Sequence, residues 1–407
     1  MYNYLVIGAG LMGSAAARHL AEQADGVAII GPAEPVAWAT HDGVFSSHYD
    51  QGRLASANGP DEIWNQLDQD SIANYQPLEA ASGVHFYEPA GLITMVPVGQ
   101  PEYAYKNEIP GVKRYAGGAL PADLPLRAPA GLDVYVEGAP SGYINPRDMV
   151  RAQLQAAINA GATVIRQEVH SLKPGDGYLE IITNSGERLQ ARKVLLATGA
   201  FANCFNLLPR RLALRVKPES TILAEVTAAE AERLAHVPPM SIRYANREIN
   251  DPYLVPPVLY PDGRYYLKMG CDTRSDVLFT SLEQMRDWFW RGNTDAHKIA
   301  MQTFLRDLFP GLEVLGWQTK PCIVCYTPSG KPFVDAYDDQ IFVLTGGNGT
   351  GAHPSDALGK LAADLMVTGN WNSSLDRDPF RLQFADDWGE WLEAPLKDHF
   401  GDGSRKD

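Results

Sequence analysis

Apolar and polar positions at the start of the chain follow a strand–helix–strand pattern. Residues 4–7 form a short apolar run with high β-propensity, and the Ala-rich stretch 14–23 has helical spacing. Residues 27–30 predict a second buried strand. A Gly-rich turn at 8–13 separates the first strand from the helix, which is the context in which such a turn binds a dinucleotide. The pattern therefore predicts a nucleotide-binding unit at the beginning of the chain.

Later segments predict a mixture of helices and sheet. Helical patterns recur in the segments 61–81, 146–160, 281–309 and 355–367. Strands are predicted at 162–165, 193–197 and 341–344, together with a half-buried sheet over the alternating segment 212–226. The turn Pro261-Asp262-Gly263 predicts a hairpin, whereas 116–142, rich in Pro, Gly and Ala, predicts irregular or edge structure. Nucleotide-binding blocks at both ends of the chain would thus enclose sheet-rich material.

The composition excludes several classes of protein. A chain of 407 residues with 45% hydrophobic content can form one large domain or two closely packed ones. Its formal net charge of −14 would repel a polyanion, which argues against nucleic acid as a partner. The 4 cysteines offer no small-domain disulfide framework and indicate a reducing compartment. Because no apolar run reaches 18 residues and the Gly-rich motif starts at Gly8, we expect no signal peptide, no membrane partner and a cytoplasmic location.

The Gly-rich turn has a direct chemical interpretation. A strand that ends in glycines and opens a helix presents free backbone N–H groups and the positive end of the helix dipole, which together hold a pyrophosphate. Gly8, Gly10 and Gly13 would supply the tight turn, the close backbone approach and the helix–sheet contact. The alternative is a structural Gly turn in another α/β fold, which the strand–helix–strand context makes the weaker interpretation.

One element of such a unit is missing from the sequence. The second strand normally ends in an acid that binds the adenosine ribose, yet Ile30 is followed by Gly31, and the first acid is Glu34. Either Glu34 reaches back to the ribose, or the backbone and water bind it. No Arg stands here to bind a 2′-phosphate, so nothing favours NADP.

Several short motifs occur in an order that indicates a known family. They are Gly8 to Gly13, Ser47-His48-Tyr49-Asp50-Gln51-Gly52-Arg53, Val194-Leu195-Leu196-Ala197-Thr198-Gly199-Ala200, Leu267-Lys268-Met269-Gly270, Lys320-Pro321-Cys322 and Gly347-Asn348-Gly349-Thr350-Gly351. In this order the chain resembles the FAD-dependent amino-acid oxidase (D-amino-acid oxidase) superfamily. Within it, the sequence is most similar to the monomeric sarcosine oxidase and N-methyltryptophan oxidase branch. The resemblance extends from residue 4 to about residue 368.

The resemblance implies an α/β (α+β) fold, in which a Rossmann-like FAD-binding domain is interleaved with an antiparallel-sheet substrate domain. The FAD domain would combine 1–84, 145–213 and 321–407, and the substrate domain would combine 85–144 and 214–320. The residues that would bind FAD are Gly8, Gly10, Leu11, Met12, Gly13, Ser47, His48, Val169, Thr198, Gly199, Cys322, Gly349, Thr350, Gly351 and Ala352.

The activity that the resemblance implies is oxidation of a small secondary or tertiary amine, N-methylated or cyclic and amino acid-like. The flavin would accept a hydride from the carbon beside a neutral nitrogen, and O2 would reoxidise it to give H2O2. The imine would hydrolyse to a demethylated amine, or to a keto or aldehyde product. The alternatives are a dehydrogenase that passes electrons to a carrier, and a non-catalytic flavin-binding protein. We expect a monomer or small homo-oligomer and no metal.

Two cations are the first candidates for catalysis. In relatives, a Lys in the strand that matches Lys268 lies beside the flavin and assists oxygen reduction, because a cation stabilises the developing negative charge. An exposed strand lysine is the alternative. Arg53 stands near the position of an Arg that tunes the flavin in relatives, and a surface salt bridge is its alternative. His48, in the same loop, is expected to anchor the loop or contact the flavin rather than act as a base.

Cys322 is the candidate for covalent attachment of FAD. With Lys320-Pro321 as the anchor, it falls on or next to the cysteine that relatives join to the flavin. A buried small hydrophobic residue is the alternative, and Cys325 is a rival for the same role. A redox or metal pair formed by the two cysteines is disfavoured, since companion ligands at suitable spacing are missing from the sequence.

The sequence departs from the family at the substrate positions. Relatives that oxidise sarcosine bind its carboxylate with cations at the places that hold Ser56 and His353 here. Asp272 stands where relatives carry a His, so that it would attract a cationic substrate or pair with Lys268. Tyrosines at 244 and over 253–266 could form an aromatic wall. We therefore expect an amine other than sarcosine, oriented by His353, Asp272 and tyrosines.

Overall fold

The computed structural model describes residues 1–394 and 396 of the chain. The helices are α1 (Leu11–Ala21), α2 (Glu62–Ser82), α3 (Pro146–Asn159), α4 (Ala228–Leu234), α5 (Leu282–Arg291), α6 (Asp295–Leu308), α7 (Ser355–Thr368) and α8 (Gly389–Glu393). The strands are β1 (Tyr2–Ile7), β2 (Val27–Ile30), β3 (Arg53–Ala55), β4 (Tyr87–Glu88), β5 (Leu92–Pro97), β6 (Lys113–Tyr115), β7 (Leu132–Glu137), β8 (Gly142–Ile144), β9 (Thr163–Ile165), β10 (Val169–Pro174), β11 (Leu179–Thr183), β12 (Arg188–Leu196), β13 (Arg215–Val226), β14 (Met240–Ile242), β15 (Ile249–Leu259), β16 (Tyr265–Thr273), β17 (Gly316–Thr319), β18 (Cys322–Tyr326), β19 (Phe333–Ala336) and β20 (Ile341–Thr345).

The first sheet is mostly parallel and has the order β10–β11–β12–β1–β2–β9, with β20 beside β12 and β19 beside β20. Strands β1, β2, β9, β12 and β20 run parallel, and α1, α3 and α7 pack together beside them. Small residues let α1 and α7 approach closely, since a Cβ on Gly359 would overlap Ala15. Arg18 on α1 pairs with Asp356 on α7 at 2.6 Å between Nη2 and Oδ1.

The second sheet has the order β17–β13–β16–β15–β14–β5–β7–β6, and β18 pairs with the first half of β13. Alternation along β16 sends its residues to opposite faces. Leu267, Met269 and Cys271 are buried in the hydrophobic core that also contains Phe304 of α6. The even-numbered residues Lys268, Gly270 and Asp272 therefore face the other side, toward the first sheet. A small third sheet has the order β3–β8–β4.

Two details of the predicted elements are wrong. The prediction of irregular or edge structure over 116–142 holds for 119–131 but is wrong for β7, which pairs with β5 on one side and β6 on the other. The predicted helix 281–309 is two helices, because Gly292 has a φ of +66° and Thr294 caps α6 by accepting a hydrogen bond from the N–H of His297. Polar capping residues thus interrupt an apolar pattern that continues through both helices.

The remaining predicted helices and the hairpin are confirmed. Asp61 caps α2 and Asn145 caps α3, each accepting a hydrogen bond from a first-turn N–H. Strands β15 and β16 form the hairpin around Pro261-Asp262-Gly263. The mixed α/β fold predicted from the sequence is also confirmed. In the part of the chain that the structure describes, no helix is long and apolar enough to cross a membrane.

The predicted boundary between the two domains separates two strands that are hydrogen-bonded to each other. Strand β13 belongs to the predicted substrate domain and β18 to the predicted FAD domain, yet they pair from Arg215 opposite Tyr326 to Glu219 opposite Cys322. Residues 395 and 397–407 of the predicted FAD domain lie outside the described residues. The boundaries themselves stay a prediction.

Candidate active site

A cavity of about 890 Å³ lies between the ends of the parallel strands and the even-numbered face of β16. This volume is at the upper end of the range for ligand pockets. It is lined by these residues of the predicted cofactor set: Gly8, Gly10, Leu11, Met12, Ser47, His48, Val169, Thr198, Gly199, Cys322, Gly349, Thr350, Gly351 and Ala352. Gly13 does not line the cavity, because it packs beneath the turn, where a Cβ would overlap the carbonyl oxygen of Gly8.

The first Gly-rich turn is built to approach a phosphate. Gly8 has a φ of +110°, and a Cβ there would overlap the carbonyl oxygen of Ala197, so only glycine fits. Helix α1 begins directly after this turn, and its N-cap residue Gly10 has no side chain to satisfy the first-turn N–H groups. Leu11 and Met12 line the cavity. The end of α1 can therefore bind a pyrophosphate through its backbone N–H groups.

The adenosine end of the cavity differs from one of the sequence-based expectations. Glu34 forms a bidentate pair with Arg147, at 2.7 Å from Nε and 2.6 Å from Nη2, and does not line the cavity. Gly31 lines it and lies so close to the first turn that a Cβ would overlap Ala9. The acid that lines this end is Glu168, whose Oε1 accepts a hydrogen bond from the N–H of Val44 at 2.9 Å. Sequence reasoning missed Glu168 because it precedes β10 and not the end of β2.

Lys268 is completely buried, with a relative exposure of 0%. Its Nζ lies 2.6 Å from Oδ2 of Asp50 and donates a hydrogen bond of 2.9 Å to the carbonyl oxygen of Gly52. The alternative of an exposed strand lysine is therefore wrong. Lys268 is not among the residues that line the cavity, but its Nζ lies 5.1 Å from the ring centre of Tyr253, which does line it.

Asp50 is shared by several donors. Arg53 pairs with it through Nη1, and Tyr260 donates a hydrogen bond of 2.7 Å to its Oδ1. Burial opposes ionisation of Asp50, but Lys268 and Arg53 outweigh it and hold its pKa well below the usual range. Burial, with the charge of Arg53, lowers the pKa of Lys268 to about 8, against the opposing effect of Asp50. One carboxylate thus fixes two cations beside the cavity.

Arg53 connects this ion-pair network to Cys322. Its Nη2 donates to the carbonyl oxygen of Ser47 at 2.8 Å and lies 3.7 Å from Sγ of Cys322. Burial raises the pKa of the Cys322 thiol, although Arg53 and Lys268 act in the opposite direction. Trp288 fixes the backbone here by donating to the carbonyl oxygen of Cys322 at 2.7 Å. The contact with Arg53 is the feature that can favour a thiolate at this position.

Cys325 also lines the cavity, but in a different environment. Burial raises the pKa of its thiol, and the groups that lower it are the backbone N–H groups of Gly347 and Gly346 rather than a cation. Cys322 and Cys325 are both free. Among residues 1–394 and 396, no group of three or more His, Cys, Asp or Glu side chains is placed to hold a metal ion.

Asp272 lines the cavity, but the predicted pairing with Lys268 is wrong. Its Oδ1 lies 2.7 Å from Nζ of Lys217, a buried lysine on β13. The same Nζ contacts Asp276 at 2.8 Å and Glu219 at 3.6 Å. Sequence reasoning missed Lys217 and Glu219. The available signal was two charged residues at alternate positions of a strand that was otherwise expected to be half-buried.

His353 lines the cavity while its imidazole is directed to helix α2. Its Nδ1 lies 2.7 Å from Oδ1 of Asp68, a buried carboxylate whose pKa is raised by burial, against the effect of His353. Ser56 does not line the cavity and donates a hydrogen bond to the carbonyl oxygen of Asn58. Substrate orientation by His353 stays a prediction, and Asp68 is its partner that sequence reasoning missed.

His48 and Tyr253 complete the centre of the cavity. His48 shares a hydrogen bond of 2.6 Å between Nδ1 and Oγ of Ser46, and burial, together with nearby arginines, lowers its pKa to about 3. It is therefore neutral near pH 7. Tyr253 reaches the cavity because Gly270 leaves space for its ring. The predicted aromatic wall is reduced in the structure, since Tyr244 does not line the cavity and packs on Phe304.

Comparison with known proteins agrees with this geometry. Residues 3–365 match a protein family described as DAO, FAD dependent oxidoreductase. The chain belongs to this family. The predicted resemblance to the FAD-dependent amino-acid and amine oxidase superfamily is thereby confirmed. A curated relative, the uncharacterized oxidoreductase YurR of Bacillus subtilis (strain 168), is 27% identical over 222 residues, which are 50% of this chain and 56% of YurR.

Several solved structures of oxidases share the fold of the chain. NikD, an unusual amino acid oxidase essential for nikkomycin biosynthesis, matches with a TM-score of 0.73 at 19% identity, over 94% of this chain and 98% of NikD. Glycine oxidase from Geobacillus kaustophilus matches with a TM-score of 0.70 at 21% identity, over 94% of this chain and 98% of the glycine oxidase. Iminodiacetate oxidase from Chelativorans sp. BNC1 matches with a TM-score of 0.68 at 17% identity, over 93% of this chain and 99% of the iminodiacetate oxidase. At these identities the similarity establishes the fold.

The cavity of this FAD-dependent oxidoreductase fits its cofactor. The uncapped N-terminus of α1 suits the pyrophosphate, and Gly31 with Glu168 lines the end suited to the adenosine. Arg53 and Cys322 line the same cavity, and the prediction from the sequence places them beside the flavin ring. The second Gly-rich turn lies close to the first, because a Cβ on Gly351 would overlap the side chain of Met12. Both turns therefore need glycine to leave room for a nucleotide between the sheets.

Proposed function

We propose that this oxidoreductase is an amine oxidase that acts on a small secondary or tertiary amine, N-methylated or cyclic and amino acid-like. For an N-methyl amine, the balanced reaction consumes amine, O2 and water, and it yields the demethylated amine, formaldehyde and H2O2. The observation that carries the proposal is the buried Lys268 ammonium, held by Asp50 and Gly52 beside the cavity. Several solved structures with the same fold are named as oxidases of amino acids, glycine or iminodiacetate, which supports this chemistry.

Each residue of the centre has a physical role in this proposal. When bound, FAD supplies the acceptor for the two electrons. Lys268 and Arg53 provide positive charge behind and beside the ring site, where negative charge develops during oxygen reduction. The neutral His48 adds no charge there. Tyr253 and the buried strand face shield the reacting carbon and nitrogen from water, and a shielded site strengthens every electrostatic interaction inside it.

The proposal includes a covalent bond between Cys322 and the flavin: the thiolate would bond to the 8α carbon, which would lose a proton, the flavin would accept the two electrons released, and O2 would reoxidise it with formation of H2O2. Of the two cysteines that line the cavity, Cys322 is the one in contact with an arginine. A permanently charged guanidinium stabilises a thiolate, which is the reactive form of cysteine. The cytoplasmic location and the monomeric or small homo-oligomeric state stay predictions from the sequence.

The experiment that tests the proposed function compares amine-dependent bleaching with peroxide formation. The FAD-loaded protein is mixed with N-methyl and cyclic amines, first without oxygen and then in air. We expect bleaching of the flavin absorbance in the first case, and one H2O2 for each amine consumed in the second. Bleaching without peroxide would indicate a dehydrogenase that uses a carrier. A flavin that no amine bleaches would leave the non-catalytic flavin-binding alternative.

A further inference from the structure

The charged residues of β13 and β16 share one face of the second sheet. Because side chains alternate along a strand, Lys217 and Glu219 lie on the same face of β13. In the register of β13 with β16, the residues of β16 on this face of the sheet include Gly270 and Asp272. Glu219 and Asp272 both line the cavity, and Glu219 lies directly opposite Cys322 in the ladder with β18. Two carboxylates therefore border the cavity next to the region suited to the flavin ring.

The charges of this cluster do not balance. Lys217 contacts three carboxylates, those of Asp272, Asp276 and Glu219, at 2.7, 2.8 and 3.6 Å from its Nζ. The Nζ also donates to the carbonyl oxygen of Pro218. One ammonium group cannot neutralise three carboxylates, so the cluster has an excess of negative charge when all of them are ionised.

Glu219 is the carboxylate whose hydrogen-bonding capacity is least used. Its exposure is 9%, and no residue within the described ranges donates a hydrogen bond to its carboxylate. The 3.6 Å separation from Lys217 is longer than a hydrogen bond. Burial, reinforced by Asp272 and Asp276, raises the pKa of Glu219 to about 7 against the effect of Lys217. A buried acceptor that has no hydrogen-bond donor is costly, and a ligand that enters the cavity and donates a hydrogen bond to it removes that cost.

The cations of the cavity are divided unevenly among the acids. Arg53 and Lys268 share the single carboxylate of Asp50, which leaves one positive charge on that side of the cavity. Arg243, which also lines the cavity, donates a hydrogen bond of 2.9 Å from Nε to the hydroxyl oxygen of Tyr103, and its Nη1 lies 3.6 Å from Oδ2 of Asp251. The excess of negative charge therefore lies on the side of Glu219 and Asp272, where Lys217 is the cation in contact within the described residues. Such a site favours a ligand that carries an additional positive group.

We propose that Glu219, with Asp272 beside it, binds a second, cationic group of the substrate, so that the preferred substrate is an amine that carries an ammonium group away from the oxidised nitrogen. This inference rests on the proposed function for the oxidation itself, and it assigns to Glu219 the role of a specificity-determining residue. Tyr253, whose ring lines the same cavity, adds a face on which such a cation can lie.

The test uses three amines that share an N-methylated four-carbon chain and differ in the group at its far end. N-methylputrescine ends in an ammonium group, N-methylbutylamine ends in a methyl group, and N-methyl-γ-aminobutyrate ends in a carboxylate. Shorter and longer homologues of each adjust for the span of the cavity. For the FAD-loaded enzyme we expect kcat/KM for the diamine to exceed that for the alkylamine by roughly 10- to 100-fold, the range for one charge-assisted hydrogen bond. The carboxylate should be the poorest of the three.

The variant Glu219→Gln keeps the shape of the side chain and removes its charge. We expect the ratio of kcat/KM between N-methylputrescine and N-methylbutylamine to fall toward one, while Glu219→Asp retains part of the preference. The exposed Glu283 of α5 offers a matched control, since Glu283→Gln should keep the full ratio. The FAD content and the circular dichroism of each variant show whether it is folded.

Failure of the inference and failure of the proposed function give different results. If the three amines are oxidised with similar kcat/KM, or if Glu219→Gln keeps the ratio, the inference is wrong and the amine oxidase proposal stands. If no amine is oxidised, calorimetric titration of the FAD-loaded enzyme decides the inference alone. Tighter binding of the diamine than of the alkylamine, lost in Glu219→Gln, would support it, and equal or undetectable binding would overturn it.

Discussion

The Nζ of Lys268 and the Oδ2 of Asp50 lie 2.6 Å apart, in a pair that joins a strand of the second sheet to the loop before β3. That loop contains Ser47 and His48, which line the cavity. The position of the ammonium group is therefore set by a carboxylate from another part of the fold. The same carboxylate binds Arg53, so the loop and both cations are held as one unit.

Asp50→Asn should destabilise the protein strongly. The substitution leaves Lys268 and Arg53 buried without their anion, and breaking a buried ion pair in this way costs about 3–5 kcal/mol. Chemical denaturation of the FAD-loaded protein measures the change in the free energy of unfolding. The exposed Asp176, in the turn between β10 and β11, is the matched control, and Asp176→Asn should change stability by less than about 1 kcal/mol. An Asp50→Asn variant as stable as this control would contradict the ion-pair account.

Lys268→Met should slow the reaction of the reduced enzyme with oxygen. Loss of a positioned charge that stabilises a transition state typically lowers a rate about 10²- to 10³-fold. Stopped-flow measurement of reoxidation after reduction by an amine isolates this step from substrate binding. The rate of anaerobic reduction should change much less, and a variant that reoxidises at the normal rate would remove Lys268 from oxygen chemistry.

The oxygen reaction should also depend on pH through Lys268. Because the pKa of this lysine is lowered to about 8, its ammonium form predominates below that pH and is lost as the pH rises through it. The reoxidation rate should therefore be highest below about pH 8 and should decline above it. Lys268→Arg keeps a permanent charge and should remove this decline. A wild-type rate that rises through the same range would have the wrong sign for an ammonium group.

Cys322→Ala should release FAD upon acid precipitation. In the wild-type protein we expect yellow colour in the acid pellet, since a thioether to the flavin survives denaturation. Cys325→Ala is the matched control, because Cys325 lines the same cavity and none of the described residues brings a cation to its thiol; the colour of this variant should stay in the pellet. Absorbance of pellet and supernatant measures the distribution. Yellow supernatant from the wild type would disprove covalent attachment while leaving FAD as the cofactor.

Gly8→Ala should impair both stability and FAD binding. The residue has a φ of +110°, and an added Cβ would overlap the carbonyl oxygen of Ala197, so we expect a loss of about 2 kcal/mol or more. Gly138→Ala is the control, because no described residue apart from its chain neighbours lies within 4 Å of its added Cβ. Thermal unfolding and FAD titration follow the two effects. Normal FAD affinity in Gly8→Ala would argue against the assigned phosphate turn.

The sequence predicted those features of the site that depend on local pattern. The turn at Gly8 could be identified because strand, glycines and helix are contiguous, and the hairpin at Pro261-Asp262-Gly263 followed from its turn residues. The partners of charged residues could not be identified in this way. Asp272 pairs with Lys217 rather than Lys268, because the register of β13 against β16 decides which side chains meet, and a single sequence does not contain that register.

Burial was equally difficult to predict for charged residues. Lys268 and Lys217 are both among the largest fully buried side chains, although lysine is ordinarily exposed. Each is buried because distant carboxylates surround it, Asp50 in one case and Asp272 with Asp276 in the other. His353 shows the same limit, since its partner Asp68 lies on α2, far away along the chain.

Strand β13 restricts how a substrate can enter. Its first half pairs with β18, which contains Cys322, and its second half pairs with β16, which contains Lys268. A movement that separated Cys322 from Lys268 would have to bend β13 or break one of its two sets of backbone hydrogen bonds. We therefore expect side chains and short loops at the rim to admit the substrate while Cys322 and Lys268 keep their relative position.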